Sequence, residues 1–325
     1  MPGPESGAGA QAETGEFAEI ARLFRPLTRG APEALALLDD AAALPARPGF
    51  DLVLTTDALV EGVHFMADDP LDTVARKLLR VNLSDLAAKG AEPYGYLLTT
   101  AWSDRCGPAE REAFARGLDE DGAAYGLVLL GGDTVSTPGP FWASAALFGW
   151  VPSGRMVRRG GARAGDRLLV SGQVGKGWRG LKARRGEAAD PDGRLTGWYR
   201  LPEPRVALGP LLLAHASAAA DVSDGLVADA GHLAEASDLG LVVELDRAPL
   251  AEGAPEAERL VCATGGDDYE IVCAAAPEAA AALTAAAAAI GIPMTDVGVF
   301  ESKGPVRVRL AGRDIDAGPG GWRHI

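Results

Sequence analysis

Apolar, strand-like runs alternate with helix-periodic segments along almost the whole chain, and that alternation restricts it to an α/β (α+β) fold. Strands are predicted at 52–56, 60–66, 94–102, 127–130 and 141–151. Residues Val74, Leu78, Val81 and Leu86 lie near one face of a helix over 72–89, which Gly90 and Pro93 stop. A second helix is predicted around 108–125, and an earlier one near Glu16, where Phe17, Ile20, Leu23 and Phe24 recur at helical spacing. The chain turns polar and Gly/Arg-rich at 152–163, and the alternation then restarts with a strand at 167–171, a Gly-rich loop and a helix. Strands at 218–222, 241–245, 269–274, 296–300 and 306–310 follow, with helices at 225–237 and 277–290. The 325 residues suit two domains. The expected division is a disordered tail at 1–14, an N-terminal domain at 15–153 and a C-terminal α/β domain at 154–325.

The formal charge of −14 argues against non-specific nucleic-acid binding, which needs a basic surface. No apolar run approaches the roughly 20 residues of a membrane helix, and residues 1–14 lack the basic and apolar segments of a signal peptide. Cys106, Cys262 and Cys273 are few, odd in number and not at metal-ligand spacing. They read as reduced thiols of a cytoplasmic protein.

Acids recur just after apolar runs or inside apolar helices: Asp39-Asp40, Asp57, Asp85, Asp133, Asp221, Asp224 and Asp267-Asp268. Taken singly, each reads as a turn residue or helix cap. Their company says more. Asn82, Ser84 and Asp85 are poor helix-interior residues, yet they stand among Leu and Ala in one predicted helix. Leu130-Gly131-Gly132-Asp133 is a strand running into glycines, which either turn the chain or free N–H groups for phosphate. Ala220-Asp221-Val222-Ser223-Asp224 leads into a helix that Ser223 or Asp224 could cap, and capping does not require the second acid. Paired acids at such a junction suit magnesium, because two carboxylates about 4 Å apart repel by roughly 4 kcal/mol at an effective dielectric near 20. An acidic protein that handles polyphosphate also needs intervening cations.

Two features mislead. The segment Gly172-Gln173-Val174-Gly175-Lys176-Gly177 lacks the spacing and the hydroxyl residue of a Walker phosphate loop, and the glycine spacing of a dinucleotide fingerprint. His64 has no second His or Cys at ligand spacing, so zinc is not expected.

Together these segments resemble the thiamine-monophosphate kinase family, in the superfamily of aminoimidazole ribonucleotide synthetase, selenophosphate synthetase and the hydrogenase-maturation dehydratase. The carrying motifs are Thr55-Thr56-Asp57 with Glu61-Gly62-Val63-His64-Phe65, Asn82-Leu83-Ser84-Asp85-Leu86, Gly131-Gly132-Asp133-Thr134, Asp221-Val222-Ser223-Asp224-Gly225 and Gly265-Gly266-Asp267-Asp268-Tyr269-Glu270. The resemblance implies a two-domain aminoimidazole-ribonucleotide-synthetase-like fold, a homodimer whose N-terminal strands join in a barrel, and ATP with several magnesium ions in the interdomain cleft. It implies metal ligation by Asp40, Thr55, Thr56, Asp57, Asp85, Asp133, Asp221 and Asp224, and ATP contacts from Gly132, Asp133, Arg159 and Ser223. Asp57, Asp133 and Arg159 would carry catalysis. His64, Thr264 and Trp322 would contact thiamine monophosphate, the indole stacking on the cationic ring.

The sequence departs from the family pattern at Leu38 (usually Gly), Asp267 (usually Glu) and Lys89 (usually Met). Rival readings are another ATP-using superfamily member or a nucleotide-binding regulator without turnover. Against selenophosphate synthesis, the first cysteine is Cys106; against the maturation enzyme, the sequence ends Trp322-Arg323-His324-Ile325.

Overall fold

Residues 15–318 are described by the structure, a computed structural model; the tail expected at 1–14 and the residue Trp322 lie outside the described residues. The chain enters through α1 (Glu16–Glu19), a π turn (Ile20–Phe24) and a 3-10 turn (Arg25–Thr28), where Pro26 has no N–H to continue the ladder. A further 3-10 stretch, Pro32–Leu37, precedes β1 (Phe50–Val60). Then come α2 (Leu71–Ala88), β2 (Glu92–Ser103), α3 (Pro108–Tyr125), β3 (Val128–Thr137) and β4 (Trp142–Pro152). These strands form a sheet in the order β1-β4-β2-β3, with β2 and β3 parallel and the other pairs antiparallel. Helices α2 and α3 cover one face. Leu78, Leu79, Leu83, Phe114 and Leu118 meet Val53, Leu59, Tyr96 and Leu98 there, and Trp102 stacks on Phe141 with centroids 4.8 Å apart. The other face leaves Leu54, Leu97 and Val135 exposed, while Ala34 packs on Leu130 and Phe148.

Two sequence expectations fail here. Residues 60–66 are not a strand: β1 ends at Val60, and 61–65 turn back through a bridge between Glu61 and Phe65. The N–H groups of Val63 and His64 both donate to the Val60 carbonyl, and the run looked β-rich because Phe65 anchors the turn in the core. Nor does β3 stop at its glycines. It runs on to Thr137, and a Cβ at Gly132 would stand 1.9 Å from the Leu98 carbonyl oxygen, so close approach of β2 requires the glycine.

The second half contains β5 (Arg167–Ser171), α4 (Lys176–Arg184), α5 (Arg194–Arg200), α6 (Gly209–His215), β6 (Ala218–Asp221), α7 (Leu226–Ala236), β7 (Gly240–Glu244), α8 (Arg259–Thr264), β8 (Ile271–Ala275), α9 (Pro277–Ala289), β9 (Met294–Glu301), β10 (Val306–Leu310) and β11 (Arg313–Ile315). Their sheet runs β11-β10-β7-β9-β5-β8-β6, parallel only at β7–β10. Alternation decides its faces. Leu168 and Val170 of β5 pack with α7, while Leu169 packs with Leu212 of α6 and Leu283 of α9.

Ala87 and Ala88 of α2 belong to that second core, beside Ala219 of β6. Small side chains on both elements let the end of α2 lie against the edge of the second sheet. Buried Asp69 reinforces the seam by accepting from Arg200 (2.6 Å) and pairing with Arg184 (3.0 Å).

Candidate active site

The end of α2, the middle of β1 and the end of β6 converge at this seam. Thr55 and Asp57 are two residues apart on β1 and so share its α2-facing side. The Thr55 hydroxyl donates to Asp85 Oδ2 at 2.5 Å. Burial, then the charge of Asp85, pushes the Asp57 carboxyl up to about 6. Asp221, the last residue of β6, is raised well above the carboxylate range by burial, then by Asp85 and Asp229, with Asp57 adding and a Ser84 hydrogen bond opposing. Burial and the neighbouring Asp85 thus favour the protonated forms of Asp57 and Asp221, in an all-oxygen donor set drawn from three elements. Carboxylate and hydroxyl oxygens are the donor type that a hard divalent cation takes, and such an ion would favour the ionised forms.

Asn82 lies about one turn before Asp85 in α2. Its Nδ2 donates to the Leu78 carbonyl (2.9 Å), but its fully buried Oδ1 has no hydrogen-bond partner among the described residues. The residues that looked misplaced in an apolar helix, Asn82, Ser84 and Asp85, thus face the seam or pack beneath it. Lys89, at the C-cap of α2, donates to the Ala219 carbonyl at 2.8 Å, leaving the acids' oxygens to other partners. Burial, then exposed Arg159, lowers its pKa, against the pull of Asp221 and Asp85. Arg159 also acts on Asp229, so the same guanidinium lies within electrostatic reach of Lys89 and Asp229.

The remaining expected ligands are elsewhere. Asp57 pairs through Ala145 and Leu98 with Gly132, so Asp133 lies three strands away, about 14 Å at ordinary spacing. Its register with Thr99 puts it on the opposite face, where it lines a groove of about 770 Å³ with Asp39 and Asp40. Thr56 also alternates away from Asp57, its hydroxyl donating to the Ala145 carbonyl at 3.2 Å.

Neither Ser223 nor Asp224 caps α7. Asp229, one turn inside the helix, accepts from the backbone N–H groups of Asp224 (3.0 Å) and Gly225 (3.1 Å), and burial lifts its carboxyl to about 7. Asp224, Asp229 and His232 bring potential ligand atoms within 4.8 Å of one another. The Ser223 carbonyl accepts from Asp267 N–H at 2.7 Å, tying this turn to the 265–269 loop.

The segment that mimics a phosphate loop does bind anions, but they belong to the chain. Gly175 and Gly177 N–H donate to Asp268 at 2.7 and 2.9 Å, and Gln173 N–H donates to Glu270 at 3.3 Å. Buried Glu270 also receives Ser171 (2.6 Å) and a bidentate Arg205 (2.7 and 2.6 Å). Burial raises Asp268 to about 7 despite its two backbone donors.

Of the expected acceptor contacts, His64 sits half-buried on the turn after β1, its Nδ1 accepting from Val60 N–H at 3.1 Å, which puts the proton on Nε2. The Thr264 hydroxyl bonds back to the Leu260 carbonyl at 2.9 Å. Sequence reasoning missed Lys77, Asp229 and Arg205. A lone Lys or Asp on an amphipathic helix reads as its wet face, and only the spacing of Asp229 from Asp224 hinted otherwise.

Residues 38–151 match the AIR synthase related protein, N-terminal domain, and 163–311 match the AIR synthase related protein, C-terminal domain. The chain is 54% identical to thiamine-monophosphate kinase of Caulobacter vibrioides across 98% of this chain and 94% of that protein. Its fold superposes on the thiamine-monophosphate kinase of Stenotrophomonas maltophilia with a TM-score of 0.82, at 35% identity over 92% of this chain and 98% of that one. It also superposes on AaThiL complexed with AMPPCP and TMP, with a TM-score of 0.76 at 29% identity over 96% and 97% of the two chains.

Proposed function

The chain belongs to the thiamine-monophosphate kinases of the AIR-synthase-related family, and from that membership we propose that its domain seam carries magnesium-assisted, in-line transfer of the ATP γ-phosphoryl to thiamine monophosphate. The observation that carries this reading is the convergence of Asp57, Asp85 and Asp221 from β1, α2 and β6. These acids with Thr55 would hold magnesium, and Asp224 with Asp229 would add oxygen donors on the second domain. Magnesium bound there would neutralise charge on the polyphosphate. Arg159 adds a cation, and Gly132, Asp133 and Ser223 complete the proposed ATP contacts. An oxygen of the acceptor phosphate forms the new P–O bond as the bond to the β-phosphate breaks, giving thiamine diphosphate and ADP. That oxygen is already ionised at neutral pH, so positioning matters more than a general base.

We place the boundary between domains at 153/154, supported by the separate sheets of β1–β4 and β5–β11. The exposed Leu54, Leu97 and Val135 support a homodimer joined through the open sheet face. Asp133 and Asp40, remote from Asp57 within one chain, support a site completed by a second copy, or by movement of the loop that carries Asp40. No described helix is long and apolar enough to cross a membrane, and a cytoplasmic location accords with the substrates.

Purified protein given ATP, magnesium and thiamine monophosphate should yield thiamine diphosphate and ADP in equal amounts, with product lost on EDTA addition. Folded protein that binds ATP but makes no product would overturn the acceptor assignment. Formylglycinamidine ribonucleotide would be the next acceptor to try, and a nucleotide-binding regulator the reading left.

A further inference from the structure

Lys77 lies in α2 about two turns before Asp85, with its side chain only 3% exposed. A buried ammonium is costly unless charge and hydrogen bonds meet it. Three groups from three separate elements do. Asp267 Oδ2, on the loop between α8 and β8, lies 2.7 Å from Nζ. The Tyr199 ring of α5 lies beneath Nζ, with its centroid at 4.0 Å. The His64 carbonyl, on the turn after β1, is at 3.4 Å. That carbonyl also accepts the Tyr199 hydroxyl at 3.0 Å, so donors from both halves of the molecule grip one peptide group.

The Asp267 loop does not hold this shape by local preference. Gly266, Asp267 and Tyr269 all have left-handed φ values (+72°, +61° and +54°), which side-chain-bearing residues rarely adopt. Gly177 packs so tightly below that a Cβ there would stand 2.2 Å from the Asp267 carbonyl oxygen. The Asp267 carboxylate remains 30% exposed, and burial, then the charges of Asp267, Asp57 and Asp221, raise the Tyr269 phenol. Asp267 therefore stands between the acid cluster and the His64 turn, and Lys77 is the cation that fixes it from across the seam.

We propose that Lys77 is a positioning residue for the acceptor half of the site, holding the His64 turn and the Asp267 carboxylate in register and so setting the fit of thiamine monophosphate without touching ATP or the metal acids. This rests on the assignment of His64 to the acceptor pocket. Removing the ammonium releases the turn and leaves Asp267 an uncompensated anion, while Asp57, Asp85 and Asp221 keep their own supports.

The test is steady-state kinetics of the full chain with K77M and with Y199F, which keeps the ring and removes only the hydroxyl on the His64 carbonyl. Thermal shifts are read with magnesium-ATP alone and with thiamine monophosphate alone. For K77M the KM for thiamine monophosphate should rise roughly tenfold, and for Y199F about threefold, with kcat and the KM for ATP changing less than about twofold. The stabilisation by thiamine monophosphate should shrink while that by magnesium-ATP persists. Unchanged acceptor KM in both variants, or KM values for both substrates rising together, would overturn the proposal. Should K77M fail to fold, Y199F decides alone. Wild-type protein that makes no thiamine diphosphate would overturn the acceptor site itself, an outcome read before either variant.

Discussion

Asp57 ionises in the ordinary carboxylate range near 3.8 when the chain is unfolded, but burial and then Asp85 lift it to about 6 in the fold. Between those values the folded chain keeps a proton that the unfolded chain has released. Stability therefore falls as pH rises through the window and stays lower above it. Asp57→Asn should remove that penalty in metal-free protein, gaining up to about 3 kcal/mol over wild type between pH 4 and 7. Calorimetry in EDTA would show the gain, and excess magnesium should reverse it while the variant loses turnover. A difference that did not change with pH would remove Asp57 from the acid cluster. The acids themselves were legible because each follows an apolar run or interrupts an apolar helix in the sequence. Lys77 was not, since its partner Asp267 lies 190 residues away and a single Lys in α2 reads as solvated.

Among elements, those with strong periodicity and clear stops were readable: α3 and β5 coincide with their expected bounds. The turn at 61–65 and the loop at 172–177 were not, because each takes its shape from distant groups. The loop depends on Glu270, whose charge is buried against Arg205 and lies 3.5 Å from Lys176. Arg205→Met would leave that charge with little compensation and should cost about 3–5 kcal/mol in denaturant unfolding. Lys176→Met, at a longer and partly exposed contact, should cost under about 1 kcal/mol. Equal losses would mean the loop does not depend on the Arg205 pair. The failed helix cap has the same origin. Ser223 and Asp224 were the local candidates, but Asp229, from inside the helix, holds the N–H groups.

At the scale of the molecule, the alternation made the mixed α/β class legible, but not the face of the sheet on which each acid falls. That depends on strand order, β1-β4-β2-β3, which no local pattern encodes. The order puts Asp57 and Asp133 on edge-side strands and opposite faces, and this gives a test of assembly. Co-expressed Asp57→Asn and Asp133→Asn chains, each inactive alone, should recover about a quarter of wild-type turnover if the partner subunit's Asp133 completes the site, because half the dimers then hold one intact centre. No recovery from verified mixed dimers would mean that both acids serve one chain.

Helix α2 is interior to two cores at once, carrying Leu78 and Leu83 in the first and Ala87 and Ala88 in the second. Neither half is therefore a spare part. Swapping one half for that of a relative would exchange only one wall of a shared joint, and a mismatch at the two alanines would be felt at Asp85 before it was felt anywhere on the surface. Inheritance acts on such a molecule as a single unit, so its seam should drift in concert while the flanks vary freely.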